Sequence, residues 1–127
     1  MEEERFVPLT YIIGRTANIK YVTLIDSGAN CSCITEGLIK ALKLTKRIKY
    51  RKCFAKAWND QKSEFLGQII MDIQVGGINF KQKFYVAKKL STGTQCLLGM
   101  DWLRFSHTRL VFSPEGVDMT IGKQQKS

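Results

Sequence analysis

The fold of this chain is indicated first by the stretch Thr23-Leu24-Ile25-Asp26-Ser27-Gly28-Ala29-Asn30. An apolar run of the β type ends there in a single carboxylate, which a hydroxyl and a glycine follow. Such a break in a local pattern is expected mainly at functional or strained sites. Asp, Ser and Gly are also common turn residues, because Asp and Ser bond their own backbone and Gly accepts positive φ. Two interpretations therefore stay open, an ordinary strand-to-turn junction and a catalytic carboxylate.

The composition is that of one globular domain. The 127 residues are 44% hydrophobic and 24% charged, close to the averages for globular proteins, and the length is sufficient for a hydrophobic core. No apolar run approaches the roughly 20 residues that span a bilayer, and Met1-Glu2-Glu3-Glu4 is acidic where a secretory signal is basic. We expect a single domain over residues 1–127, a disordered tail at about 122–127, an intracellular location and no membrane partner.

Short alternating runs predict that most of the chain forms strands. A hairpin over 6–13 and 19–25, turning at 14–18, would deliver Asp26 at its end. Thr35 is a candidate N-cap for a short helix that ends near Leu42. From Lys49 to Val75 the pattern predicts strands again, interrupted by a polar turn at 58–62 that the runs 53–57 and 64–67 flank, with a further run at 68–75. The remaining strands are expected at 80–87, 108–112 and 117–121. Many short strands with Gly-rich turns and one or two short helices predict an all-β barrel or sandwich.

The cysteines give no metal-site pattern. Common zinc sites need paired Cys or His ligands a few residues apart, twice over, whereas only Cys31 and Cys33 are close and the sole His107 is distant. Buried reduced thiols are the expectation for Cys31, Cys33, Cys53 and Cys96.

The net charge of +9 suggests a possible nucleic-acid partner. A basic run with few aromatic residues among the cations is more typical of a solvated face, and no nucleic-acid fold signature accompanies it. We expect weak electrostatic association at most, and no specific nucleic-acid partner. The run comprises Lys40, Lys43, Lys46, Arg47, Lys49, Arg51 and Lys52.

A second informative segment is Leu97-Leu98-Gly99-Met100-Asp101-Trp102-Leu103. Two leucines indicate a buried strand, and Gly99 allows another stretch of backbone to approach closely before Met100 or Asp101 begins a helical turn. Taken alone, the segment is a strand-glycine-helix junction. N-capping explains Asp101 without catalysis, although it is the only serious rival to Asp26 among the acids.

Together, Asp26-Ser27-Gly28-Ala29 and the Leu97–Leu103 segment resemble the aspartic proteases of retroviruses and long-terminal-repeat retrotransposons, most closely those of gypsy-like elements. The resemblance covers nearly the whole chain and fits the length of these one-domain enzymes. It implies the small closed β-barrel of the retropepsin, or acid protease, type with one or two short helices. It also implies an aspartic-type endopeptidase that uses no metal and no other cofactor.

The resemblance assigns roles around the first motif. Asp26 matches the catalytic aspartate, and Ser27 the hydroxyl that bonds to the partner subunit's loop. Gly28 matches the glycine that lets the substrate and the opposed loop approach, so Ser27 and Gly28 support the catalytic loop. Gly28, Ala29 and Asn30 are the implied substrate-binding residues. Many retroviral members have Asp where this chain has Asn30, which leaves open how the substrate backbone is held.

Two further features follow from the same resemblance. The segment Leu97–Gly99 matches the support that runs behind the catalytic loop. The polar turn that contains Trp58, Asn59 and Asp60 falls where the family has its flap, a mobile hairpin that closes over bound peptide. This turn lacks the glycine-rich tip of several retroviral enzymes.

Only one Asp-Ser-Gly is present, whereas the chemistry needs two carboxylates. The family's solution is a symmetric homodimer in which each chain contributes one Asp26. We therefore expect an endopeptidase that cleaves polypeptide, with a Gag-Pol-type polyprotein as the implied substrate and the cytoplasm or a virus-like particle as its location. A catalytically silent retropepsin-like dimerisation or peptide-binding module is the first alternative. A basic nucleic-acid-binding β-barrel is the second.

Overall fold

A computed structural model describes residues 10–56 and 62–122. Nine strands and two short helices lie in these ranges. In chain order they are β1 (Thr10–Thr16), β2 (Ile19–Ile25), β3 (Cys33–Thr35), α1 (Glu36–Ala41), β4 (Lys49–Lys56), β5 (Lys62–Val75), β6 (Ile78–Ala87), β7 (Cys96–Leu98), α2 (Met100–Phe105), β8 (Thr108–Ser113) and β9 (Gly116–Ile121), with a 3₁₀ turn at Thr45–Arg47.

Six of the described strands close into a barrel. Their order is β1-β2-β7-β3-β6-β5, and β5 pairs with β1 through Gly14 opposite Val75 to complete the ring. Strand β4 pairs with β5 outside this ring, and β8 and β9 form a separate hairpin. The expectation of an all-β, small closed barrel of the retropepsin type is confirmed.

The position of β7 determines where the two sequence motifs meet. It lies between β2, to which it is parallel, and β3, to which it is antiparallel. The segment that links β2 to β3 must therefore pass around the end of β7. That segment contains Asp26, so the barrel topology brings both motifs to one place.

Aliphatic and aromatic side chains fill the barrel interior. Phe80 and Trp102 are fully buried and meet edge to face, with ring centroids 5.4 Å apart, a geometry that aromatic pairs prefer. Trp102 thereby anchors α2 to the barrel. A second, smaller cluster of Cys33, Phe65 and Ala87 lies apart from this core.

Several predicted elements are confirmed. Strand β2 has the predicted bounds Ile19–Ile25, and Thr35 caps α1 by accepting a hydrogen bond from the Leu38 amide at 3.2 Å. The turn between β5 and β6 uses Gly76 and Gly77 at positive φ, which suits the tight hairpin turns that follow the strand twist.

The first turn is shorter than the predicted 14–18. Only Ala17 and Asn18 turn, at φ values of 50° and 66°, and β1 continues through Thr16. Gly14 lies within strand β1. A Cβ at this position would lie 2.8 Å from the Thr23 hydroxyl oxygen. Close packing, rather than turn geometry, explains this glycine.

One other boundary differs from the prediction. The runs 64–67 and 68–75 form one continuous strand, β5, because Gly67 pairs with Tyr50 on one side and Val86 on the other without ending the strand. β4 begins at Lys49, where the predicted strand pattern also begins. The predicted first strand, 6–13, lies partly outside the described residues. The tail after residue 122 lies entirely outside them.

The cysteine prediction is correct for only two of the four thiols. Cys33 and Cys96 are buried, whereas Cys31 and Cys53 are half-buried, and all four are free. The cations of the basic run are all exposed, along α1, the turn that follows it, the 3₁₀ turn and β4. In residues 10–56 and 62–122, no helix has both the length and the apolar character to cross a membrane.

Candidate active site

The loop after β2 holds the Asp26 carboxylate in a defined position. The Asp26 amide donates to the Leu98 carbonyl at 3.0 Å, which ties the end of β2 to β7. The Gly28 amide donates to Asp26 Oδ1 at 2.9 Å, and the Ala29 amide to the Asp26 carbonyl at 3.2 Å. Asp26 is half-buried. The loop is thus an Asp-centred turn in which one carboxylate oxygen, Oδ1, accepts the Gly28 amide.

Gly99 allows the second motif to pack against this loop. A Cβ at Gly99 would lie 2.7 Å from the Ala29 carbonyl oxygen and 2.8 Å from that of Cys31. The next residue, Met100, donates its amide to the same Ala29 carbonyl at 2.8 Å. The absence of a side chain therefore lets β7 and α2 contact the backbone of the loop directly.

Asp101 connects the loop to α2 and the barrel wall. Its carboxylate accepts hydrogen bonds from the Ser32 hydroxyl at 2.7 Å, the Ser32 amide at 3.1 Å and the Gln82 side-chain amide at 3.0 Å. The Trp102 amide adds a fourth at 2.8 Å. Ser32 Oγ also accepts from the Gly99 amide at 3.1 Å. These bonds fix the far end of the segment that carries Asp26.

The N-capping role expected for Asp101 is wrong. Gly99 occupies the N-cap position of α2 without a side-chain bond, and Asp101 is the second residue inside the helix. Because the helix N-terminus carries partial positive charge, a carboxylate there is also favourable electrostatically. Asp101 acts as a bridge between two segments rather than as a cap or as a rival catalytic acid.

Replacing Asp101 by Asn should lower the free energy of unfolding by about 2 kcal/mol. The reason is that an NH₂ group, itself a donor, replaces one carboxylate oxygen and then faces N–H or O–H donors. Urea unfolding followed by tryptophan fluorescence would measure the change. Asp118→Asn, at an exposed position on β9, is the matched control and should stay within about 0.5 kcal/mol. Equal midpoints for the two variants would show that the Asp101 bonds do not hold the loop.

A cleft of about 430 Å³ opens beside Asp26. Of the residues predicted for the site, Asp26, Ala29 and Asn30 line it, whereas Ser27 and Gly28 do not. The predicted flap residues Trp58, Asn59 and Asp60 lie outside the described residues. The other lining residues are Cys31, Cys33, Glu64, Phe65, Ala87, Lys89, Leu90, Ser91, Thr92 and Leu97.

Ser27 faces a different cavity. This cavity, of about 630 Å³, is formed with residues of α2, β8 and β9. The Ser27 side chain is exposed, and no partner for its hydroxyl is found within the described part of the chain. Asp26 and Ser27 thus point to two different spaces on either side of the same turn.

The sequence interpretation missed much of the cleft wall. Phe65 projects from β5, and Leu90 belongs to the loop of residues 88–95 between β6 and β7. Phe65 could have been found from the hydrophobic alternation along β5. No sequence signal marks the approach of Leu90 to Asp26, because 64 residues separate the two.

The family model described as "gag-polyprotein putative aspartyl protease" matches residues 14–105 of this chain. The match contains both motifs and more than half of the sequence. No curated protein sequence matches the chain significantly.

Solved structures show the same fold. The retroviral protease-like domain of Ddi1 from Leishmania major is 18% identical, with a TM-score of 0.69 over 91% of this chain and 88% of that one. A retropepsin-like aspartic protease from Rickettsia conorii is 21% identical, with a TM-score of 0.59 over 86% and 78% of the two chains. The EIAV protease complexed with the inhibitor HBY-793 is 20% identical, with a TM-score of 0.59 over 87% and 100%.

Proposed function

Because the chain belongs to the gag-polyprotein aspartyl protease family, we propose that it is an aspartic endopeptidase that works as a homodimer. The position of Asp26 supports this proposal most directly. Its carboxylate lines a cleft, its turn is anchored to β7, and one of its oxygens already accepts the Gly28 amide. A carboxylate held in this way is positioned before substrate arrives, as catalysis requires.

The need for a second carboxylate supports the dimer. Among the acids that line the cleft, Glu64 is exposed and lies on β5, whereas peptide hydrolysis by this chemistry needs two matched carboxylates side by side. A two-fold axis next to Asp26 would supply the second from another copy of the chain. In that dimer the Ser27 hydroxyl bonds to the partner's loop, which gives a role to its exposed position.

The chemistry follows from the charge on the pair. Two close carboxylates do not both ionise, so they share one proton and titrate as a unit. The ionised Asp26 takes a proton from a water molecule, whose oxygen attacks the scissile carbonyl carbon. The protonated Asp26 polarises the carbonyl oxygen and then a proton passes to the leaving amine as the C–N bond breaks.

The cleft suits an extended polypeptide. Phe65 and Ala87 belong to its apolar wall, while Ala29 and Asn30 place backbone and an amide side chain beside Asp26. We propose that Gly28, Ala29 and Asn30 contact the substrate backbone and that Trp58, Asn59 and Asp60 form the flap. The proposed substrate is a Gag-Pol-type polyprotein. We propose that it is processed in the cytoplasm or in a virus-like particle, and that residues 1–127 form a single protease domain.

Peptide turnover and dimer formation should follow the same concentration dependence. The expected result is internal cleavage of an unfolded polypeptide, with a rate per chain that falls on dilution as sedimentation velocity shows dimers converting to monomers. The reason is that a monomer holds only half of the catalytic pair. A rate per chain that stays constant where the protein sediments as a monomer would contradict the homodimer. If the protein is a stable dimer but cleaves no substrate, the result would instead favour the alternative of a catalytically silent dimerisation or peptide-binding module.

A further inference from the structure

Much of the positive charge of the chain is concentrated in one segment. The net charge is +9, and residues 37–59 contain eight of the cations and no acid. The structure places this segment in most of α1, the turn after it, the 3₁₀ turn and β4, as far as Lys56. Its cations are exposed wherever the structure describes their side chains. This part of the surface therefore carries a positive potential, which attracts polyanions.

Few carboxylates lie close enough to neutralise these cations. Lys52 pairs with Glu64 at 3.4 Å, but both side chains are largely exposed, so solvent screens the pair. Glu36, the acid that precedes the segment, pairs at 3.9 Å with Lys88, which follows β6. In residues 10–56 and 62–122, the six other exposed cations of the segment form no ion pair. They are Lys40, Lys43, Lys46, Arg47, Lys49 and Arg51.

An exposed aromatic ring lies beside these six unpaired cations. A shallow cavity of about 310 Å³ forms where α1, the 3₁₀ turn and β4 meet, and its lining includes Lys40, Thr45 and Tyr50. Tyr50 is 56% exposed. Its hydroxyl donates to Glu36 Oε2 at 2.6 Å, which restrains the ring. The other five unpaired cations all lie within two positions of Thr45 or Tyr50 in the chain. A flat aromatic surface and a group of free cations thus share one region.

We propose that this region binds single-stranded nucleic acid, with phosphates contacting the six unpaired cations and one base stacked on the Tyr50 ring. Proteins that bind single strands without sequence preference combine the same two elements, cations that follow the backbone and aromatic rings that stack on bases. The sequence pattern alone predicts only weak electrostatic association, because few aromatic residues interrupt the run. The exposed ring of Tyr50 beside Lys40 supplies the second element.

The inference does not depend on the proposed protease function. The cavity at Tyr50 and the cleft beside Asp26 have no lining residue in common. Nucleic-acid binding can therefore be measured without any cleavage assay, and its outcome leaves the role of Asp26 unaffected.

A second exposed ring on β4 argues against a lipid surface as the partner. Phe54 is 62% exposed and lies opposite Glu64 on β5. Tyr50 lies opposite Gly67 on the same strand. Because successive residues of a strand alternate between faces, Glu64 and Gly67 lie on opposite faces, and so do the two rings. They cannot enter one membrane surface together, as the apolar face of a membrane-bound segment does. Phe54 instead offers a matched control for Tyr50.

The test is fluorescence anisotropy of a labelled single-stranded oligothymidine of about 12 nucleotides, titrated with the whole chain at several salt concentrations. We expect binding in which the logarithm of the affinity falls linearly with the logarithm of the salt concentration. Each phosphate that is neutralised on a single strand contributes a slope of about −0.7, so six contacts predict a slope of about −4.

Variants of Tyr50 test the stacked base. Tyr50→Leu should weaken oligothymidine binding about tenfold without changing the salt slope. Tyr50→Phe, which keeps the ring and loses the bond to Glu36, should bind like the wild type. Phe54→Leu, which removes a ring from the other face, should do the same. A duplex of equal length has bases that are already stacked, so it should bind equally to Tyr50→Leu and to the wild type.

Variants of the cations test the phosphate contacts. The double variant Lys40→Gln/Lys46→Gln loses two contacts, so its salt slope should fall to about −3. Lys20→Gln/Lys83→Gln is the matched control, because both lysines are exposed on β2 and β6, outside this region. Its slope should equal that of the wild type. Circular dichroism and the unfolding midpoint would establish that each variant is folded.

Three results would overturn the proposal. The first is no binding of oligothymidine by the wild-type chain at low salt. The second is equal affinity of Tyr50→Leu and the wild type for the single strand, because charge alone would then explain the binding. The third is tighter binding to phosphatidylserine vesicles than to oligothymidine, with loss in Lys40→Gln/Lys46→Gln, which would assign the region to lipid headgroups.

Discussion

Replacing Asp26 by Asn should abolish peptide cleavage while leaving the fold intact. The amide oxygen of Asn can still accept the Gly28 amide hydrogen bond that Asp26 Oδ1 accepts at 2.9 Å, so the loop keeps its shape. The amide cannot take a proton from water or share one with a partner carboxylate. Loss of general acid–base catalysis alone costs about 10²–10⁴-fold in rate. Turnover of an unfolded polypeptide should therefore fall below detection.

Asp72→Asn is the matched control for this variant. Asp72 lies on β5 with an exposed side chain, so the same change of one carboxylate to an amide should leave the cleavage rate unaltered. Circular dichroism and the unfolding midpoint of both variants would establish that each is folded. Equal cleavage by Asp26→Asn and the wild type would refute catalysis by Asp26, whatever the state of the dimer.

Gly99→Ala should destabilise the fold strongly. The new Cβ would lie 2.7 Å from the Ala29 carbonyl oxygen and 2.8 Å from that of Cys31. Both neighbours are backbone atoms of the loop that carries Asp26, and they cannot rotate away as a flexible side chain can. We expect the free energy of unfolding to fall by about 3 kcal/mol or more. Cleavage should fall with it, because the loop that holds Asp26 must shift.

Gly37→Ala provides the control with the opposite expectation. Gly37 lies in α1, and a Cβ there would have no atom within 4 Å. Since Ala favours a helix more than Gly does, the variant should be neutral or more stable by up to about 1 kcal/mol. Urea unfolding of the two variants measures both changes. A Gly99→Ala protein as stable as Gly37→Ala would mean that β7 does not pack against the loop as described.

The parts of the fold that the sequence predicted are those governed by local rules. Strand β2 and the capped helix α1 follow from residue types a few positions apart, such as the Thr35 hydroxyl and the Leu38 amide. The two motifs identified the closed barrel through their resemblance to retroviral aspartic proteases, whereas the strand pattern alone left a barrel and a sandwich open. The fold needs a glycine at position 99 because the Ala29 and Cys31 carbonyls lie close to it.

The features that the sequence did not predict depend on contacts between distant residues. Asp101 bonds to Ser32 across 69 positions and to Gln82 across 19, and only the insertion of β7 between β2 and β3 brings them together. N-capping was the simpler explanation for an Asp at a helix start, and the structure replaces it. The predicted turn at 14–18 was too long because Gly14 was interpreted as a turn residue. In the structure, this position needs a glycine because it packs closely against Thr23.

The pairing of two Asp26 residues across a dimer is tested most directly by mixing wild-type chains with Asp26→Asn chains. The total concentration is kept constant, chains are allowed to exchange, and the cleavage rate is measured against the wild-type fraction. If each active dimer needs two intact copies, the rate follows the square of that fraction, so an equal mixture retains about a quarter of the wild-type rate. A rate that falls only to about half, in direct proportion to the wild-type fraction, would show that one chain cleaves peptide alone and would contradict the shared catalytic pair.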